Sequence, residues 1–196
     1  MALGRMRVPS GDTMRWIVVA GLALTLAASC EIRKGGLDVR LEVGGRAMKF
    51  VNHQPLHDGR VVNYASDAPR NVNETQALSF NLSRKKPAEL LSMLAQDRRS
   101  IAQKLLGSTI EADAFCIAYE DRWGSRNVAF AVAGTDGDVS VVTLFNRSAK
   151  AIPAERDREY SCEQAATSYA ELRRVYGAQQ ALLHKEIAVP FLSAAP

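Results

Sequence analysis

Few side chains in this sequence are placed to do chemistry. His53 and His57, with Asp58 beside them, are the strongest claim on a metal ion. An i, i+4 spacing brings two imidazoles together only on a helix, and Pro55 stands between these two. No fourth ligand is visible, so hydrogen-bonded or solvated histidines are the expectation. His184 falls near the end of a helical stripe, where a cation suits the helix dipole. Asp136 and Asp138 flank Gly137, but the run lacks the alternating oxygen ligands of a calcium loop, and a hairpin turn accounts for it. Asp113, Glu120 and Asp121 could pair for acid–base work, as carboxylates can in any domain this rich in acidic residues. The chain contains no G-x-S-x-G elbow, P-loop, H-E-x-x-H or dinucleotide fingerprint. No catalytic residue, cofactor or metal ligand is assigned.

The run Asp121-Arg122-Trp123-Gly124-Ser125-Arg126 offers binding chemistry instead. A tryptophan between two arginines has the composition of interface hot spots, which makes Arg122, Trp123 and Arg126 candidate partner-binding residues. The plainer expectation is a tryptophan folded back on its own sheet with solvated arginines. Arg84-Lys85-Lys86 reads as a solvated charged face.

Near the start, Arg15 precedes an uncharged run from Trp16 to Ser29 that ends at Cys30. The run is short for a membrane span, which needs about 20 apolar residues, and suits the core of a secretory signal. Its end, Leu26-Ala27-Ala28-Ser29-Cys30, resembles the lipobox of bacterial lipoproteins, with Ala27 where that family most often has leucine. The resemblance covers residues 14 to 31. It implies cleavage after Ser29, acylation of Cys30, and a chain tethered to the membrane by its lipid. An uncleaved anchor helix and ordinary signal cleavage nearby are the alternatives. Residues before Met14 read as an over-long start. Glu31, where an inner-membrane lipoprotein tends to carry aspartate, points to the periplasmic side of the outer membrane.

Residues 1–29 contain Arg5, Arg7, Arg15 and Asp12, so without them the formal net charge falls from +4 to +2. That removes the case for a nucleic-acid partner, which needs clustered positive charge. An exported chain meets an oxidising space, where two remaining thiols usually pair. A Cys116–Cys162 disulfide is therefore expected, with two buried free thiols as the alternative.

Residues 30–36 read as lipidated cysteine and tether, 37–190 as a single domain, and 191–196 as a tail. Within the domain, Leu37 to Val43 alternates with period two and predicts a half-buried strand. Gly44-Gly45 supplies a tight hairpin turn, and Arg46 to Asn52 returns as a second strand. Residues 53–59 are expected as a loop, 60–64 and 75–82 as strands, and 66–73 as a turn-rich link. Pro87 starts a helix whose Leu90, Leu94, Ile101 and Leu105 recur at helical spacing up to Gly107. Strands follow at about 112–120, 127–133 and 139–145, the last two joined by an Asp-Gly turn. Ser161 to Gln164 has the spacing of a capping box. Ala165, Tyr169, Leu172, Tyr176 and Leu183 then form one helical stripe, which Pro190 ends.

The central hairpin is expected to place Phe115, Ile117, Tyr119, Val128, Phe130 and Val132 on one face. Ala114, Cys116, Ala118, Ala129, Ala131 and Ala133 would form a small-residue face against the last helix. The fold class is α+β: a mostly antiparallel sheet with two amphipathic helices, the C-terminal one packed on the sheet. Two functions are consistent with this reading. One is an envelope module that binds another protein, of inhibitor or immunity type; the other is a periplasmic hydrolase or ligand-binding enzyme acting on envelope substrates.

Overall fold

The structure, a computed structural model, describes residues 36–56, 58–66 and 73–193. The apolar run 16–29, Cys30, His57 and most of the 66–73 link lie outside the described residues. The chain divides into two units, Met1–Arg33 and Lys34–Pro196, and everything described belongs to the second. No helix among the described residues is long and apolar enough to cross a membrane.

The strands are β1 (Leu41–Val43), β2 (Arg46–Leu56), β3 (Gly59–Ser66), β4 (Glu74–Ser83), β5 (Ala102–Ile110), β6 (Ala114–Asp121), β7 (Ser125–Asp136) and β8 (Val139–Lys150). They form one antiparallel sheet in the order β1-β2-β3-β4-β8-β7-β6-β5. Helix α1 (Pro87–Ser100) follows β4. A 3-10 helix (Ala154–Tyr160) follows β8 and leads to α2 (Ala165–Leu183), a π-turn (His184–Ala188) and α3 (Val189–Ser193). Gly44 and Gly45, with φ of 58° and 70°, make the β1–β2 turn, as a two-residue hairpin requires.

The expected loop at 53–59 is instead the end of a hairpin. His53 pairs with Val62, Pro55 with Arg60, and Leu56 with Gly59. Pro55 is tolerated because β1 covers β2 only from Arg46 to Met48, so the missing donor falls on an open edge. At Gly59 a Cβ would stand 2.0 Å from the Leu82 carbonyl oxygen; only glycine lets β4 approach this closely.

The first helix is shorter than its spacing predicts. It ends at Ser100, and residues 102–110 are β5. Residues 114–119 of β6 are wholly buried, and β5 supplies that strand's outer hydrogen bonds, register-shifted at Ala102/Lys104 and Leu105/Gly107. Pairing a buried strand outweighs a helical pattern. Leu105 accordingly stays half-exposed at 50%.

The hairpin faces also differ from expectation. Register pairs Cys116 with Phe130, Ala114 with Val132 and Ala118 with Val128, and on the other face Phe115 with Ala131 and Ile117 with Ala129. Directly opposed residues share a face, so each face alternates large with small. One face meets Leu90, Leu91 and Ala95 of α1. The other meets Tyr169, Leu172, Val175 and Leu183 of α2, together with Met48, Tyr64, Leu78 and Phe80. The α+β arrangement with its C-terminal helix on the sheet is thus present.

The capping box does not form. Ser161 Oγ donates to the Arg158 carbonyl, 2.8 Å away, closing the 3-10 helix, and α2 starts at Ala165 with no side-chain cap. Nor does Pro190 end the helical segment. It lies in the first turn of α3, where its missing donor is harmless, and residues 191–193 of the expected tail are helical. The π-turn adds residues to one turn, and Ile187 and Ala188 within it are buried.

Cys116 and Cys162 are joined, with Cα atoms 5.8 Å apart at a sequence separation of 46. The bridge ties the middle of β6 to the approach to α2. Chain-entropy arguments put the stabilisation from a loop of this length at about 4 kcal/mol at most. We expect Cys162→Ser to lower unfolding free energy by about 2–4 kcal/mol in denaturant melts. Non-reducing peptide mapping should recover the joined peptides, and two freely alkylated thiols would contradict the bridge.

Candidate functional site

The β6–β7 turn is ordered by one carboxylate. Asp121 Oδ1 accepts the backbone N–H of Trp123 and of Ser125, each at 2.9 Å, and the Asp121 carbonyl accepts that of Gly124 at 3.0 Å. Gly124 takes φ of 73°, the left-handed residue that closes a three-residue hairpin loop. Burial would raise the Asp121 carboxyl; the N–H donors of Ser125 and Trp123 outweigh it and hold it low. On this turn Trp123 is 65% exposed, with the Arg122 guanidinium 4.2 Å from its ring centre. The tryptophan is therefore not folded back on its sheet.

Beside it runs an open groove of about 880 Å³, beyond the C-terminal end of α1, bounded by Ile101, Tyr119, Arg122, Trp123, Asn127 and Asn146. Ile101, Leu105 and Ile110 expose 45–50% of their surface along β5 and its approach. Arg126 separates from its two companions: it faces the other side of the sheet from Asn127 and pairs with Asp157 of the 3-10 helix. The sequence trio is thus a pair, Arg122 and Trp123.

The remaining candidates are dispersed. His53 lies on β2, its Nδ1 buried without a hydrogen-bond partner. Burial first and Arg60 second lower its pKa. Asp58 pairs with Lys85 at 3.4 Å, His184 with Asp136 at 3.0 Å and Asp113 with Arg173 at 2.8 Å. Gly137, φ 57°, makes a hairpin turn between Asp136 and Val139. Among the described residues no three His, Cys, Asp or Glu side chains gather as a metal site would require.

A second cluster was not singled out from sequence. Glu74, at the start of β4, is 1% exposed. Its Oε1 accepts Arg147 Nε at 2.6 Å and Gln76 Nε2 at 2.9 Å and lies 3.3 Å from Arg46 Nη2; its Oε2 accepts Arg156 Nη2 at 2.9 Å. Glu159 binds both Arg147 and Arg156, and the Arg147 guanidinium stacks 4.8 Å from the Tyr160 ring. Burial pushes the Glu74 carboxyl up, but the hydrogen bonds of Arg147, Gln76 and Arg156 prevail and hold it at about 2. Alternation from Glu74 to Gln76 is the one sequence signal for this cluster, since it puts two polar residues on the buried face of β4.

Comparison with known proteins gives no matching family model, no matching curated protein and no matching solved structure.

A carboxyl depressed from 4.5 to about 2 stabilises the fold above pH 4.5 by about 3 kcal/mol. That stability is lost as pH falls from about 4.5 to 2. We expect Glu74→Gln to destabilise by about 3 kcal/mol at neutral pH, because it removes the buried charge that compensates three partly buried arginines. The variant's stability should also fall less steeply between pH 5 and 2 than the wild type's, measured by denaturant melts across that range. Parallel pH profiles would contradict the assignment.

Proposed function

We propose that this chain is a lipid-anchored binding module of the bacterial envelope, on the periplasmic side of the outer membrane, that recognises another protein without catalysis, as an inhibitor or immunity-type protein does. The observation that carries the reading is Trp123, 65% exposed on a turn fixed by Asp121. A large side chain carried on an ordered turn costs little backbone entropy on docking and removes much apolar surface. Arg122 adds a cation stacked on the ring and able to meet an acidic group of the partner. Leu105 of β5, half-exposed opposite Tyr119, extends the same region.

We expect Trp123→Ala to leave the melting temperature nearly unchanged and to weaken partner binding by about 2 kcal/mol or more, roughly thirtyfold. The control is Val51→Ala, an exposed apolar residue on β2. A protein captured from cell envelopes by wild type and Val51→Ala, and lost by Trp123→Ala, would be the partner. Undiminished capture by Trp123→Ala would reject the site.

The anchor rests on the resemblance of Leu26 to Cys30 to a lipobox. Metabolic labelling with an alkyne fatty acid should mark the wild type and spare Cys30→Ser. Equal labelling of both would reject lipidation.

A further inference from the structure

Gly36 and α3 lie at the same end of the sheet. A Cβ added to Gly36 would meet Leu182 Cδ1 at 3.0 Å and Glu186 Oε1 at 3.5 Å, so residue 36 rests against the end of α2 and the π-turn. His184, between those two, pairs with Asp136 at the foot of β7. Register aligns Gly59, Ser83, Ser140 and Thr135 in one row across β3, β4, β8 and β7 at this end. Asp121 and Ser125, which bracket Trp123, fall at the other end. Between the two ends β7 runs from Ser125 to Asp136, about 35 Å at the rise of an antiparallel strand.

Exposed apolar side chains gather at the Gly36 end. Leu56 beside the β2–β3 turn, and Val189 and Leu192 on α3, all face water. Val189 and Leu192, three apart, share a helix face. The two groups are tied together. Arg84 Nη2 donates to the Leu192 carbonyl at 3.3 Å, and Lys85 Nζ, next in the chain, lies 3.4 Å from Asp58 beside the Leu56 turn. Ile187 and Ala188 are buried at the root of α3, so the helix is fixed to the domain while its outer residues stay exposed.

Chain length says what covers this end. Cys30 precedes Gly36 by six residues, which span at most about 22 Å when fully extended. A lipid on Cys30 therefore holds Gly36 within about 22 Å of the bilayer surface. That tether is shorter than β7, so the domain cannot stand on its Trp123 end. Seated on its Gly36 end, it buries Leu56, Val189 and Leu192 between headgroups and acyl chains, where amphipathic surfaces settle.

We propose that the end of the domain built by α3 and the β2–β3 turn is a membrane-docking surface, which seats in the lipid headgroup region and holds the Trp123 turn about 35 Å away from it. This rests on the lipid anchor at Cys30. The partner of Trp123 is then met in the aqueous space and not within the bilayer.

The test uses the full chain, matured in cells, purified and reconstituted into vesicles of phosphatidylethanolamine and phosphatidylglycerol with or without bromine on the acyl chains. Cleavage after Ser29 removes Trp16 and leaves Trp123 as the one tryptophan. Leu192→Trp and Leu56→Trp, each in a Trp123→Phe background, move that reporter to the docking end, at positions that already expose a large side chain. We expect brominated lipid to quench the indole at 192 or 56 about twofold, as interfacial burial implies, and Trp123 in the otherwise unchanged chain less than about one-fifth as much. Quenching at neither docking position, or equal quenching of Trp123, would overturn the proposal. Blue-shifted emission at 192 without quenching would mean that protein, a second copy or another partner, covers this end, and would overturn it as well. Mass spectrometry of Cys30 separates the two failures: an unmodified cysteine rejects anchor and docking together, whereas an acylated cysteine with unquenched indoles rejects the docking alone.

Discussion

A carboxylate withdrawn from water must be fully compensated, and at Glu74 that requirement organises one end of the molecule. The side chain sits at the start of β4, and beside Gln76 of the same strand the arginines that satisfy it come from β2, β8 and the 3-10 helix. Each of those elements is far from β4 in sequence, and each is positioned by a donor with fixed geometry. Such a cluster adds little net stability over an apolar equivalent, since desolvation offsets most of the attraction. Its effect is directional. A guanidinium fork accepts few arrangements of a carboxylate, and Arg147 and Arg156 each touch both Glu74 and Glu159.

The segment between β8 and α2 is consequently held twice. Arg156 and Glu159 bind it to Glu74 of β4 and Arg147 of β8, and Cys162 binds it to the centre of β6. Helix α2 leaves this clamp in a defined direction and lays Tyr169, Leu172, Val175 and Leu183 on the sheet. Between the two fixing points the chain detours through a 3-10 helix and a turn before α2 begins.

How legible this was in the sequence depends on whether the deciding force was local. Gly44-Gly45, the Asp-Gly turn at 136–137 and the stripe from Tyr169 to Leu183 express backbone preference and local burial, and they read directly. The bridge was legible from two cysteines once export was assumed. Residues 102–110 were not, because their conformation is set by the bare edge of β6 and not by their own pattern. The hairpin faces depart from expectation for a related reason: alternation within a strand is local, but the offset between Cys116 and Phe130 is a matter of register. Glu74 was hidden most deeply. Its arginines lie at positions 46, 147 and 156, and nothing in one sequence joins residues so far apart.

The two candidate sites share a device. At Asp121 a carboxylate gathers backbone N–H groups and stiffens a turn; at Glu74 one gathers side-chain donors and stiffens a wall. At the turn the outcome is a Trp123 indole left 65% exposed; at the wall it is a closed set of ion pairs in which each Glu74 oxygen is met by at least one guanidinium. The same acceptor thus has opposite consequences for the side chains around it. Where it gathers backbone N–H groups, the side chains of the turn stay free to face water; where it gathers guanidinium groups, the side chains themselves are committed.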